Sequence, residues 1–209
     1  MFRIYCLIIG YFIGCIQSAY IVGKIFGKID IREHGSGNAG MTNVTRVLGA
    51  KAGIFVFIFD ILKGLIAFNL CTFIFGEKTF FPTNVLFGIY GGIGAILGHD
   101  FPFYLKFKGG KGVATTLGFY LFINPIIAII TYVTGFITAF FTKYISLSAL
   151  TMNLLFVLLM IIFKMPFEAI ILMAISMAIC YYQHRGNILR LIKGEERKFS
   201  FKKNNKNNL

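Results

Sequence analysis

Charge is scarce in this chain, and negative charge scarcest of all: eight Asp and Glu stand against 21 Lys and Arg, and charged residues make up only 14% of the 209. Soluble domains carry nearer a quarter, so an ordinary soluble fold is excluded. No stretch alternates apolar and polar residues as a membrane β-barrel strand does, which leaves helices as the only way to span a bilayer. The four cysteines, Cys6, Cys15, Cys71 and Cys180, lie inside apolar runs without C-x-x-C spacing. That pattern excludes a zinc site or a disulfide framework and makes them small buried hydrophobes. No cleavable signal is expected, because the first apolar run is too long and has only Arg3 before it.

What remains is mostly apolar, with 57% hydrophobic residues and a mean hydropathy of +0.77. The formal charge of +13 would suggest nucleic acid in a soluble protein. No nucleic-acid-binding module accompanies it, so no nucleic-acid partner is expected, and cytoplasmic loops rich in Lys and Arg account for the excess.

Crossing a hydrocarbon core takes about 20 apolar residues. Residues 4–26, 52–75, 83–105, 125–142, 146–163 and 166–184 meet that length, whereas 113–123 would rise only about 16 Å as a helix. If 113–123 crosses, Lys24, Lys28, Arg32, Arg46, Lys51, Lys106, Lys108, Lys111, Lys143 and the basic tail share one side. Only Arg3, Lys78 and Lys164 then fall on the other. The positive-inside rule selects that arrangement. The expected fold is therefore an all-α membrane protein of about seven transmembrane helices, N-terminus outside and C-terminus cytoplasmic, with one short or broken helix at 113–123. Residues 1–201 form a single integral membrane domain, and 202–209, KKNNKNNL, a disordered polar tail.

This topology brings three polar stretches to one face. Residues 34–46, HGSGNAGMTNVTR, contain a formal G-x-G-x-x-G, but no strand precedes it, so a dinucleotide fold is excluded. The glycines still allow close approach of backbone amides to an anion, and Ser36 and Asn38 can cap the following helix. Arg46 adds a two-pronged donor for phosphate or carboxylate. Residues 98–116, GHDFPFYLKFKGGKGVATT, resemble a phosphate loop without matching Walker A, because Val113 stands where a magnesium-binding hydroxyl would be. There Gly109 and Gly110 lie between Lys108 and Lys111. The third stretch, 184–197, HRGNILRLIKGEER, holds His184 and Asn187 just after the last span.

Asp60 and Lys63, at membrane depth, have the i, i+3 spacing of a structural ion pair facing the bundle. His34, His99 and His184 lack a carboxylate arranged to share a metal, and the surrounding positive charge disfavours a cation. Neither metal nor cofactor is expected.

The three stretches resemble the motifs of the bacterial acyl-phosphate-dependent glycerol-3-phosphate acyltransferase family. Its G-S-G-N-x-G-x-T-N-x-x-R motif matches 35–46, its G-H-x-F-P-x-x-x-x-F-K-G-G-K-G-V-A-T motif matches 98–115, and its R-H-x-x-N-I segment matches 183–188 as QHRGNI. Gln183 departs from the family's usual arginine. The resemblance implies a multi-pass enzyme of the bacterial plasma membrane in phospholipid biosynthesis, with its active site facing the cytoplasm. It implies transfer of an acyl group from acyl phosphate to the 1-hydroxyl of glycerol 3-phosphate, giving lysophosphatidic acid and inorganic phosphate. A functional link to the enzyme that supplies acyl phosphate follows.

By the same resemblance His184, Ser36 and Lys111 act catalytically, while Arg46, Asn38, Asn43, Lys108, Gly109, Gly110, Lys111 and Asn187 bind substrate. His184 is the candidate base, although the substrate's own phosphate could take the proton. Ser36 lacks a recognisable Asp–His pair to activate it as a nucleophile. An organic-phosphate transporter is the rival from another class, but the sequence shows no repeated halves, and its polar motifs crowd one face rather than the midplane. A lipid-phosphate transferase with another acceptor is separated from this reading only by the resemblance.

Overall fold

The chain is described by a computed structural model over residues 1–76 and 83–200. In lipid the backbone has no solvent to bond with, so apolar runs satisfy themselves as helices. Among the described residues every regular element is helical. Helix α1 (Phe2–Gly14) is followed after a three-residue break by the short α2 (Ser18–Val22), which widens into a π-helical turn over Gly23–Gly27. A single turn at Ile31–Glu33 leads to α3 (Met41–Leu48), and α4 (Ala50–Phe75) begins two residues later. Then come α5 (Thr83–Asp100), α6 (Val113–Ile123), α7 (Pro125–Thr142), α8 (Ile145–Ile162), α9 (Phe167–Gln183) and α10 (Arg185–Ile192).

Four helical stretches, Phe2–Gly27, Ala50–Phe75, Pro125–Thr142 and Ile145–Ile162, are long and apolar enough to cross a membrane. The pair α9 and α10, bent by 62° at His184, makes a fifth. The expected span 83–105 stops at Asp100, because Phe101 precedes Pro102 and is pushed away from helical ψ. The expected span 4–26 lies within the stretch Phe2–Gly27, whose helix is interrupted at Cys15–Gln17. There buried Gln17 donates through Nε2 to the carbonyl of His99 at 2.9 Å, and the Ile16 carbonyl accepts from Lys63 at 3.2 Å. Helix α6 is short, as expected. It ends at Asn124, whose Oδ1 accepts from the amides of Ile126 and Ile127, both at 3.1 Å, and so caps α7. Lys78 and the tail 202–209 lie outside the described residues.

Residue-to-residue contacts give the helix directions. Cβ atoms placed at Gly10 and Gly14 of α1 would collide with the backbone of Gly91 and Ala95, so α1 and α5 run parallel. Gly88 and Gly91 meet Thr72 and Ala67 in reverse order, so α4 and α5 are antiparallel. Gly112 sits beside Ile96 and Asp100 while Phe119 lies over Gly92, which sets α6 antiparallel to α5. Stacked Tyr120 and Tyr132, Ser148 bonded to the Gly135 carbonyl, and Tyr181 bonded to the Leu150 carbonyl continue the alternation through α7, α8 and α9. Small residues at these crossings allow the close approach that packs helices in lipid, where no hydrophobic force draws them together. The ends that carry all three polar stretches therefore gather at one end of the bundle.

Candidate active site

At that end lies a cavity of about 850 Å³. Its wall comes from the loop 35–40 and α3, from the start of α6, from the α9–α10 bend, and from Glu196 and Arg197 in the segment beyond α10.

The first loop is shaped by Asn43. Its Oδ1 accepts from the Ser36 amide at 2.7 Å, and its Nδ2 donates to the carbonyls of Ile31 and His34 at 3.0 and 2.9 Å. Asn43 thus positions the loop with its amide fully used. Contrary to expectation, Ser36 and Asn38 do not cap α3; its N-cap is Gly40, with no side-chain cap. The amides of Gly37 and Gly40 are also spent, on His34 and Asn38 carbonyls. Gly35 and Gly37 serve the turn instead, at φ of 64° and 74°. Met41 and Thr42, in the first turn of α3, line the cavity, at the positive end of the helix dipole. Ser36, Asn38 and Arg46 line the same wall. Arg46 makes no ion pair among the described residues; burial, reinforced by neighbouring Arg197, lowers its pKa.

The second stretch divides. Lys111 lines the cavity, but Lys108 lies on a separate pocket of about 330 Å³ with Tyr20, Arg32, Tyr104 and Lys106. Gly109 and Gly110 are likewise not in the cavity wall. Their amides donate to the carbonyls of Asp100 and His99 at 3.1 and 2.9 Å, and a Cβ on either would strike His99. These two glycines serve close packing rather than an open amide cradle, and the phosphate-loop expectation is corrected there.

Lys111 is placed by a relay. Its Nζ donates to Asn187 Oδ1, and Asn187 Nδ2 donates to Glu196 Oε1 at 2.6 Å. Glu196 also accepts from Ser146 at 2.9 Å and, on Oε2, from Arg190 at 2.8 Å. Burial works against the Glu196 carboxylate, but these donors outweigh it and hold its pKa below the ordinary value. Burial, chiefly, brings Lys111 down to about 8.

His184, buried at the bend, has a pKa lowered to about 4 by desolvation and then by Lys111. It is neutral at pH 7. Its Nδ1 lies 2.8 Å from the Cys180 carbonyl, which can only accept, so the proton sits on Nδ1 and Nε2 keeps a free lone pair.

The sequence did not point to Asp60, His99, Gln183, Arg190, Glu196 or Arg197 as part of this wall, yet all six line it. Asp60 and Lys63 do pair, at 2.9 Å. Among the described residues no three His, Cys, Asp or Glu cluster as a metal site.

Comparisons with known proteins converge. Residues 4–194 match the profile of a family described as glycerol-3-phosphate acyltransferase. A glycerol-3-phosphate acyltransferase of Thermoanaerobacter pseudethanolicus is 42% identical over 202 residues, 97% of this chain and 98% of the relative. Glycerol-3-phosphate acyltransferase 2 of Bacillus anthracis is 42% identical over 199 residues, 94% of this chain and 98% of the relative. Among solved structures, the integral membrane glycerol 3-phosphate acyltransferase PlsY in its glycerol 3-phosphate form superposes with a TM-score of 0.84 at 33% identity, covering 95% of this chain and 96% of that one. Its lysophosphatidic acid form gives 0.82.

Proposed function

The chain belongs to the glycerol-3-phosphate acyltransferase family, and on that premise we propose that it transfers a fatty acyl group from acyl phosphate to the 1-hydroxyl of glycerol 3-phosphate. It is a multi-pass membrane acyltransferase; the donor, the orientation and the residue roles are our reading. The observation that carries it is one cavity holding an anion-binding wall and a neutral imidazole with a free lone pair.

Both substrates carry phosphate. The α3 N-terminus, Arg46, Lys111 and Arg197 supply amides and charge for two such groups side by side, with Ser36, Asn38 and Asn187 on the rim. The apolar part of the wall, with Phe57, Val113, Ile145 and Ala149, suits the start of an acyl chain. In the reaction the glycerol oxygen attacks the acyl carbonyl and forms the ester, the carbonyl–phosphate bond breaks, and phosphate departs. The hydroxyl proton passes to His184 Nε2 or to a substrate phosphate oxygen. An activated donor needs no covalent acyl-enzyme, so Ser36 serves as a hydrogen-bonding group rather than a nucleophile. Positioning and preorganised charge supply the acceleration.

Seven spans, one domain, the N-terminus outside, and a cavity opening to the cytoplasm at the plasma membrane complete the reading. The enzyme upstream is then one that makes acyl phosphate. The test is a purified-protein assay with palmitoyl phosphate or palmitoyl-CoA and glycerol 3-phosphate. Equimolar lysophosphatidic acid and inorganic phosphate from the first donor, with the CoA thioester inert, is the expected result. Transfer from the thioester alone would refute the donor assignment.

A further inference from the structure

The cavity wall contains one acid whose second oxygen has no assigned use. Asp60, on α4, is 2% exposed and borders the cavity beside His99. Its Oδ1 is fully engaged, accepting from Ser18 Oγ at 2.8 Å and from Lys63 Nζ at 2.9 Å, with His99 Nδ1 at 3.6 Å. Lys63 is pinned in turn by the His99 ring and by the Ile16 carbonyl exposed at the break after α1. The carboxylate is therefore held in one orientation by groups from three helical segments. Its Oδ2 accepts no hydrogen bond among the described residues and is not sealed in protein, since it is absent from the buried atoms left without partners.

Chemistry distinguishes this oxygen from the rest of the wall. Glu196, the other acid there, spends both oxygens on Asn187, Ser146 and Arg190. Arg46, Arg197 and Lys111 attract phosphate. A fixed carboxylate oxygen repels phosphate and accepts from a neutral hydroxyl. A ligand with a phosphate at one end and hydroxyls at the other fits both features; inorganic phosphate fits only one.

We propose that Asp60 Oδ2 accepts a hydrogen bond from a glycerol hydroxyl of the acceptor and is the residue by which the site selects a hydroxylated phosphate ester. This rests on the acceptor assigned above and gives the Asp60–Lys63 pair a role beyond structure: Lys63 and Ser18 aim Asp60, and Asp60 reads the substrate.

The experiment is calorimetric titration of three ligands, with inorganic phosphate as the reference, into the wild type and the Asp60→Asn variant. The ligands are glycerol 3-phosphate, 3-hydroxypropyl phosphate, which lacks the 2-hydroxyl, and 2-hydroxypropyl phosphate, which lacks the 1-hydroxyl. A site built to bond a hydroxyl through a charged group rejects the analogue without it by roughly ten- to a hundred-fold. The wild type should show that discrimination against one analogue. Asp60→Asn should reduce it to less than about three-fold, with the loss falling on glycerol 3-phosphate. Equal weakening of all three ligands, or unchanged discrimination, would overturn the proposal. If Asp60→Asn does not fold, Asp60→Glu keeps the charge for Lys63 but displaces the free oxygen. Discrimination should fall there too, and wild-type discrimination in Asp60→Glu refutes the role. A wild type that binds glycerol 3-phosphate no better than inorganic phosphate would remove the acceptor assignment itself, and this inference with it.

Discussion

Lys111 sits where burial opposes its charge more than Glu196 supports it, and its pKa of about 8 sets a pH limit on the site. The charged form is present below that value and is lost as pH rises through it. For glycerol 3-phosphate, whose phosphate is already a dianion there, kcat/KM should fall as pH passes about 8, approaching ten-fold per unit above it. In Lys111→Arg, whose guanidinium keeps its proton to beyond about pH 12, the decline should disappear from that window. A decline unchanged in Lys111→Arg would assign it to another group. His184, near 4, stays neutral across the whole range. At this scale Ser36, Asn38, Arg46, Lys111, His184 and Asn187 were legible, because motif spacing and one-sided charge pointed to them. Gly109 and Gly110 were misread because glycine serves open amides and tight packing equally, and only the His99 contact decides between them. Glu196 was hidden because an acid next to Glu195 in a basic tail does not announce that the chain folds back onto Ser146.

Among the elements, α6 depends most on its neighbours. It is 11 residues long, and glycines on α4 and on α6 itself let the two backbones touch. A Cβ at Gly118 would strike the Ile61 carbonyl, and one at Gly64 the Thr115 carbonyl. Gly118→Val should therefore destabilise the fold by about 1–3 kcal/mol through overpacking, and should displace Lys111, which leads into α6. The checks are thermal unfolding in detergent together with the KM for glycerol 3-phosphate. Wild-type values for both would contradict this packing. Hydropathy revealed the helices because lipid permits little else. It missed the break after α1 and the end of α5 at Asp100, where side-chain bonds from Gln17 and Lys63, and Pro102, override the apolar pattern.

Across the whole molecule, the alternating helix directions place the three polar stretches, the α9–α10 bend and most of the basic residues at one end. The proposed orientation, from the positive-inside rule, puts that end in the cytoplasm. Single cysteines introduced at exposed Ser36 and Arg185, in a background with the four buried cysteines replaced by alanine or serine, should resist an impermeant thiol reagent in intact cells and react in inverted vesicles. A cysteine at exposed Lys164 should show the opposite. Labelling of Ser36 and Arg185 from outside, with Lys164 protected, would reverse the orientation. The gathering of the polar stretches at one end was legible in the sequence, since crowding positive charge on one face is a whole-chain property that needs no tertiary contact; the labelling decides which side that end faces.

The central claim is that the cavity between α3, α6 and the α9–α10 bend binds the phosphate of glycerol 3-phosphate. Its most direct test is equilibrium binding of glycerol 3-phosphate to the wild type and to Arg46→Ala, each confirmed folded by its thermal transition. Losing a charge-assisted phosphate contact of about 1.5–3 kcal/mol predicts binding weakened at least ten-fold in Arg46→Ala, with the transition within a few degrees of wild type. Wild-type affinity in a folded Arg46→Ala would contradict the account and place the substrate elsewhere.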